Sequence, residues 1–145
     1  MAKKKEVVVA VSGGFDPVHV GHIEMFEKAR RLGDTLVVIL NNDNWLRAKK
    51  GYVFMKQSER KKILESLRPV DKVVLTKHPK GTKDMSVSRA LIALKPDIFG
   101  NGGDRKAHNV PEDSVCKKYG IRRAYNLGRK IQSSSSLARA VQGIV

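Results

Sequence analysis

Ser12-Gly13-Gly14-Phe15-Asp16-Pro17-Val18-His19-Val20-Gly21-His22 is the stretch from which the fold is read. Five consecutive small apolar residues, 7–11, run into it. Their continuous, β-branched character predicts a strand covered on both faces rather than one alternating between core and solvent. Behind it, Ile23, Phe26, Ala29 and Leu32 fall on one helical stripe, and Gly33 supplies a stop. Buried strand, glycine turn and helix start together point backbone N–H groups at an anion, and phosphate is the anion such turns take. Within that turn His19 and His22 are three residues apart and share one face of the first helical turn.

Working outward, residues 35–40 form a second continuous apolar strand, and 41–52, polar and basic, read as a loop or a short irregular helix. A helix is expected over 57–67, ended by Pro69, and a third strand over 72–76. The basic loop 77–83 leads to a helix over 84–94, stopped by Pro96. A short fourth strand, 97–101, runs into Gly102-Gly103-Asp104-Arg105. A helix over 111–119, a fifth strand over 122–125 and a final helix over 134–142 complete the chain. Strands alternating with helices imply right-handed crossovers and a parallel sheet with helices on both faces. The expected fold is a single α/β, Rossmann-like domain over 1–145 with five parallel strands in the order 3-2-1-4-5. Ligands bind such sheets beyond the carboxyl ends of the strands. The turns at 12–22, 41–43 and 101–105 all lie on that rim.

Charge is the outlying feature of the composition. The 145 residues carry 29 Lys and Arg against 14 Asp and Glu, a net +15, while apolar residues make up an ordinary 41%. Such a field draws polyanions: nucleotides, nucleic acid or an anionic surface. At 6% aromatic residues and without a recognised binding motif, a nucleic-acid-binding protein is the weaker reading. The lone Cys116 can form no intrachain disulfide, which suits a reducing cytosol. The apolar run near the start is five residues, short of the roughly 7–15 of a signal peptide and the about 20 of a membrane span. A cytoplasmic location is expected, with no membrane partner.

Gly13-Gly14-Phe15-Asp16-Pro17-Val18-His19-Val20-Gly21-His22 resembles the HxGH signature of the cytidylyltransferase-like nucleotidyltransferases. Further pieces resemble that superfamily in order along the chain. They are Ala29 to Asp34 before a valine-rich strand, Ser58-Glu59-Arg60 with Ile63-Leu64 and Val70-Asp71, Lys95-Pro96-Asp97 leading to Gly102-Gly103-Asp104, and Arg129 to Ser136. Within the superfamily the chain resembles glycerol-phosphate cytidylyltransferases and heptose-phosphate adenylyltransferases. The resemblance implies transfer of CMP from CTP to a small phosphomonoester with release of pyrophosphate. The alternative is AMP from ATP, with a sugar phosphate, FMN or a similar acceptor. Two departures keep the base open: the C-terminal element reads Arg129-Lys130-Ile131-Gln132-Ser133-Ser134-Ser135-Ser136, and the turn carries Gly-Gly-Phe-Asp-Pro, the form closer to adenylyltransferases. Magnesium is expected to arrive with the triphosphate, and a homodimer is implied.

The chemistry explains the residue types. Nucleotidyl transfer builds negative charge on the α–β bridging oxygen and the equatorial oxygens, so positioned donors carry the catalysis. His19 and His22 are the expected catalytic donors, and Gly21 between them lets backbone approach the phosphate. The resemblance assigns a phosphate-gripping lysine to Lys49 or Lys50, with Lys50 preferred. Arg129 is expected to clamp the triphosphate, and Ser134, Ser135 and Ser136 to offer free N–H groups at a helix start. Gly13, Gly14, Phe15, Asp16, Gly102, Gly103 and Asp104 are expected around the nucleotide, with Asp16 also shaping the turn. Asn42, Arg60 and His78 are expected to face the acceptor, Arg60 alternatively pairing with Glu59.

Overall fold

The computed structural model describes residues 5–102, 111–125 and 127. Its elements are β1 (Val8–Gly13), α1 (Val20–Arg30), β2 (Thr35–Leu40), α2 (Asp43–Lys50), α3 (Gln57–Glu65), β3 (Lys72–Leu75), α4 (Ser88–Leu94), β4 (Ile98–Gly100), α5 (Asp113–Tyr119) and β5 (Arg122–Ala124). The strands form one parallel sheet in the order β3-β2-β1-β4-β5, as expected. Its chain reverses direction across the sheet at β1, which puts the end of β1 at the crevice where such folds hold ligands. Register carries the geometry to the rim: Gly13 pairs with Leu40, so the 12–22 turn leaves the sheet level with Asn41.

Alternation along β1 and β2 divides the core in two. Val9, Val11, Leu36, Val38 and Leu40 face Phe26 and Ala29 of α1 and Leu64 of α3. Ala10 and Ile39 face the other way, onto Val87, Leu91 of α4, Phe99 and Cys116 of α5. Both central strands are therefore apolar through their buried runs, 9–11 and 36–40, and each buried side chain of Val or Leu size contributes roughly 1.5–3 kcal/mol. At the opposite end of the sheet from the rim, Asp34, Asp97 and Asp71 accept the backbone N–H groups of Val7, Val8 and Leu36. Three carboxylates are thus spent at the end away from the candidate site.

Most element ends shift by one or two residues from expectation, and three differences have a local cause. Helix α1 starts at Val20 because His19 caps it. Residues 43–50 are a regular helix, capped by Asn42 and ended by Gly51 at φ +82°. Helix α4 starts at Ser88 rather than 84 because the Asp84 carboxylate accepts from both the N–H and the hydroxyl of Ser86. That local bonding competes with helix. The expected helix at 134–142 lies outside the described residues.

Candidate active site

His19 and His22 open α1 as a reciprocal pair. The Nδ1 of His19 accepts from Gly21 N–H at 3.1 Å, and the Nδ1 of His22 accepts from His19 N–H at 3.1 Å. Two backbone donors that a helix start leaves without partners are thereby satisfied by imidazoles. The rings stack with centroids 3.8 Å apart. Because each Nδ1 accepts, the proton of each neutral ring sits on Nε2. Burial lowers the pKa of His19, and burial together with the His19 charge lowers that of His22 to about 3. The His19 Nε2 is buried and has no hydrogen-bond partner among the described residues. A buried donor of that kind is held ready for an acceptor.

A stability consequence follows from those shifts. The folded His22 ring refuses a proton until about pH 3, whereas the unfolded ring takes one near its ordinary 6.5. Stability is therefore complete above that ordinary value and is lost as pH falls below it. Melting temperatures measured at pH 7.5 and pH 5 should show this loss, and His22→Asn should flatten the difference. An unchanged slope in the variant would count against the depressed ring.

Behind the histidines the turn is built by packing. Phe15 is buried at φ +49°, with its ring edge-on to His22 at 4.9 Å and to Phe26 at 5.2 Å. Phe15, expected beside the nucleotide, is instead a core side chain that seats the His22 ring. Gly13 leaves it room: a Cβ there would lie 2.7 Å from the Phe15 ring. At Gly14 a Cβ would lie 2.9 Å from Leu46 and 3.2 Å from the Trp45 indole. Gly21 is buried in the first turn of α1.

Asp16 is 1% exposed. Its two carboxylate oxygens accept the N–H groups of Phe54 and Met55 at 2.7 and 2.6 Å. Lys50 Nζ lies 3.3 Å from the same carboxylate and donates to the Asp16 carbonyl at 3.0 Å. Asp16 therefore fastens the 51–56 segment to the turn, the shaping role the sequence allowed it. The two lysines, alike in sequence, part company. Lys50 reaches the turn and lies over the Tyr52 ring, while Lys49 is exposed over Trp45. Lys50→Ala should lower kcat by at least roughly tenfold, with no recovery at saturating substrate, and Lys49→Ala should change little. Equal, small effects in steady-state kinetics would remove both from the site.

The three residues expected at the acceptor are occupied elsewhere. Arg60 is fully buried and donates to the carbonyls of Met55, Gly14 and Asn41 and to the Asp43 carboxylate, at 2.7–2.8 Å. Its acid partner is Asp43, not Glu59, because adjacent residues on a helix do not face each other. Asn42 caps α2 through Trp45 N–H and donates to the His78 carbonyl. Both His78 ring nitrogens are engaged, with the Thr76 hydroxyl and the Ser86 carbonyl. All three serve as struts beneath the rim.

On the other flank, Gly102 packs so closely on Met25 that a Cβ would lie 2.6 Å from its sulfur. The neighbouring Asn101 has a buried side-chain amide nitrogen without a partner among the described residues, as has the amide oxygen of Asn41 beyond β2. These two asparagines flank the β1 turn and were not singled out in the sequence. Their position directly after an apolar strand was the available signal. Gly103, Asp104, Arg129, Ser134, Ser135 and Ser136 lie outside the described residues.

Among the described residues no helix is long and apolar enough to cross a membrane. Comparison with known proteins bears directly on this geometry. The family model described as cytidylyltransferase-like matches residues 10–136. The chain is 36% identical over 141 residues to the bifunctional protein HldE of Streptomyces coelicolor, covering 94% of this chain but 29% of that one. It thus spans under a third of that relative. To the FAD synthase of Aciduliprofundum boonei it is 35% identical over 116 residues, covering 80% of this chain and 74% of the relative. Among solved structures, the lipopolysaccharide core biosynthesis protein of Thermoplasma volcanium superposes with a TM-score of 0.67 at 27% identity, covering 84% of this chain and 95% of that one. The family model over residues 10–136 and the relative matched over most of its length show that the chain belongs to the cytidylyltransferase-like family and is a nucleotidyltransferase.

Proposed function

We propose that the protein transfers AMP from ATP to a small phosphomonoester and releases pyrophosphate. A phosphate oxygen of the acceptor attacks the α-phosphorus, the bond from that phosphorus to the α–β bridging oxygen breaks, and pyrophosphate leaves with the electron pair. The observation that carries this reading is the stacked imidazole pair at a helix start, with the His19 Nε2 buried and without a partner among the described residues. In that role His19 and His22 donate to the oxygens that gain charge. Lys50 exchanges its Asp16 contact for a phosphate. Arg129 and Ser134 to Ser136 hold the β- and γ-phosphates, and the 102–104 turn holds the nucleoside. ATP is preferred over CTP because relatives matched over most of their length are FAD synthases and the turn carries Gly-Gly-Phe-Asp-Pro. Magnesium travels with the triphosphate; the nearest carboxylate, Asp16, is already committed to two N–H groups and a lysine. A homodimer, as the family resemblance implies, is the assembly to check by light scattering.

Pyrophosphate release should be scored for ATP, CTP, GTP and UTP, each against alcohol, sugar and flavin phosphates. ATP-dependent release with one acceptor class supports the reading. Release with CTP alone would overturn the choice of base, and no release with any pair would overturn the reaction.

A further inference from the structure

The structure has a cavity of about 750 Å³ between the edge strand β3, the 77–87 segment and α4. Helix α4 packs inward: its Leu91 belongs to one buried cluster with Ala10, Ile39 and Phe99, of β1, β2 and β4. Val74 of β3 is left half-buried as the floor, and Ala90, Ala93 and Leu94 of α4 form one wall. The volume falls within the range of ordinary small-molecule sites.

The chemistry of the lining is divided. The floor and wall are aliphatic, while Lys77, Lys83 and Arg89 stand around the mouth. The acidic residue there, Asp84, is already bonded to Ser86. The polar side chains of the inner part, Thr76 and His78, are bonded to each other, and the second His78 nitrogen to Ser86. A polyhydroxylated sugar would find few unspent partners in such a cavity and would lose its hydration for nothing. A flat, apolar body with an anionic end suits it. A second copy of this chain suits it poorly, because a two-fold contact would bring like cations together.

One side chain links the segment that walls the cavity to the phosphate turn. The Trp45 indole covers Gly14 on one side and donates Nε1–H to the Met85 carbonyl, between the lining residues Asp84 and Ser86, at 2.9 Å. One indole therefore separates the turn from the segment that walls the cavity. We infer that this cavity holds the body of the phosphorylated acceptor, and that the acceptor is flat and apolar-bodied rather than a sugar phosphate. This rests on the adenylyl-transfer reading.

The test uses the full chain, with flavin mononucleotide and a hexose 1-phosphate as probes. Flavin fluorescence should change on titration with protein, and the hexose phosphate should not compete. Ala93→Trp, which fills the mouth from an exposed wall position, and Arg89→Glu should each raise KM for the flavin phosphate at least tenfold with kcat little changed. Turnover of the hexose phosphate with both variants kinetically silent would overturn the inference and leave adenylyl transfer standing. Arg89-dependent flavin binding without turnover of any triphosphate would support the cavity and overturn the reaction. A change of oligomeric state in Ala93→Trp would overturn the inference by making this face a subunit interface.

Discussion

Alanine in place of either His19 or His22 should lower turnover by roughly 10²–10³-fold or more, the loss seen when one charge-stabilising donor is removed. The two rings also close the start of α1, so alanine removes a cap worth about 1 kcal/mol along with the donor. Asparagine separates the effects at His19. Its side-chain oxygen can still accept the Gly21 N–H that the His19 ring now takes at 3.1 Å, but no donor reaches the place of Nε2. His19→Asn should therefore melt close to the parent and turn over as poorly as His19→Ala. Near-parental kcat in His19→Asn would show that the ring is a cap and nothing more.

The largest effect on stability is expected at Arg60. Arg60→Ala should cost about 3–5 kcal/mol, the range for breaking a buried charged pair by removing one partner. It leaves the Asp43 carboxylate and the carbonyls of Gly14, Asn41 and Met55 without their shared donor. Arg60→Lys should recover little, since an ammonium cannot span acceptors that a guanidinium fork reaches together. Urea denaturation reads this directly. A loss below about 1 kcal/mol would mean that the network is dispensable. Turnover should fall as well, because the Gly14 carbonyl belongs to the turn that the histidines follow.

How much of this was legible in sequence depended on the range of the interaction. The 7–32 segment read correctly because every signal in it is local: a β-branched run, paired glycines, then a helical stripe. The strand order is not local; it followed from the alternation of strands and helices and from the family resemblance, and the sheet has it. Arg60 was misassigned because its partner lies 17 residues away, whereas Glu59, its neighbour in sequence, cannot face it. Helix α2 was left undecided because a single residue, Leu46, is its buried anchor, although Asn42 and Gly51 marked both its ends. Lys49 and Lys50 are identical as letters; only the path of α2 past Asp16 distinguishes them. Asn42 and His78 lie on the rim as expected, but polar residues at strand ends serve as caps and braces as readily as they serve ligands.

The way α1 is capped settles what the histidine pair can hold. Two imidazoles three residues apart on a helix are the usual bait for zinc, nickel or copper, which bind through a ring nitrogen's lone pair. Here the Nδ1 lone pairs already receive the backbone protons of Gly21 and His19, which leaves the hydrogen of each neutral ring on Nε2. A transition metal could bind only by uncapping the helix or by stripping a proton from a neutral ring. Capped in this way, the pair presents N–H donors and withholds its lone pairs from azaphilic metals.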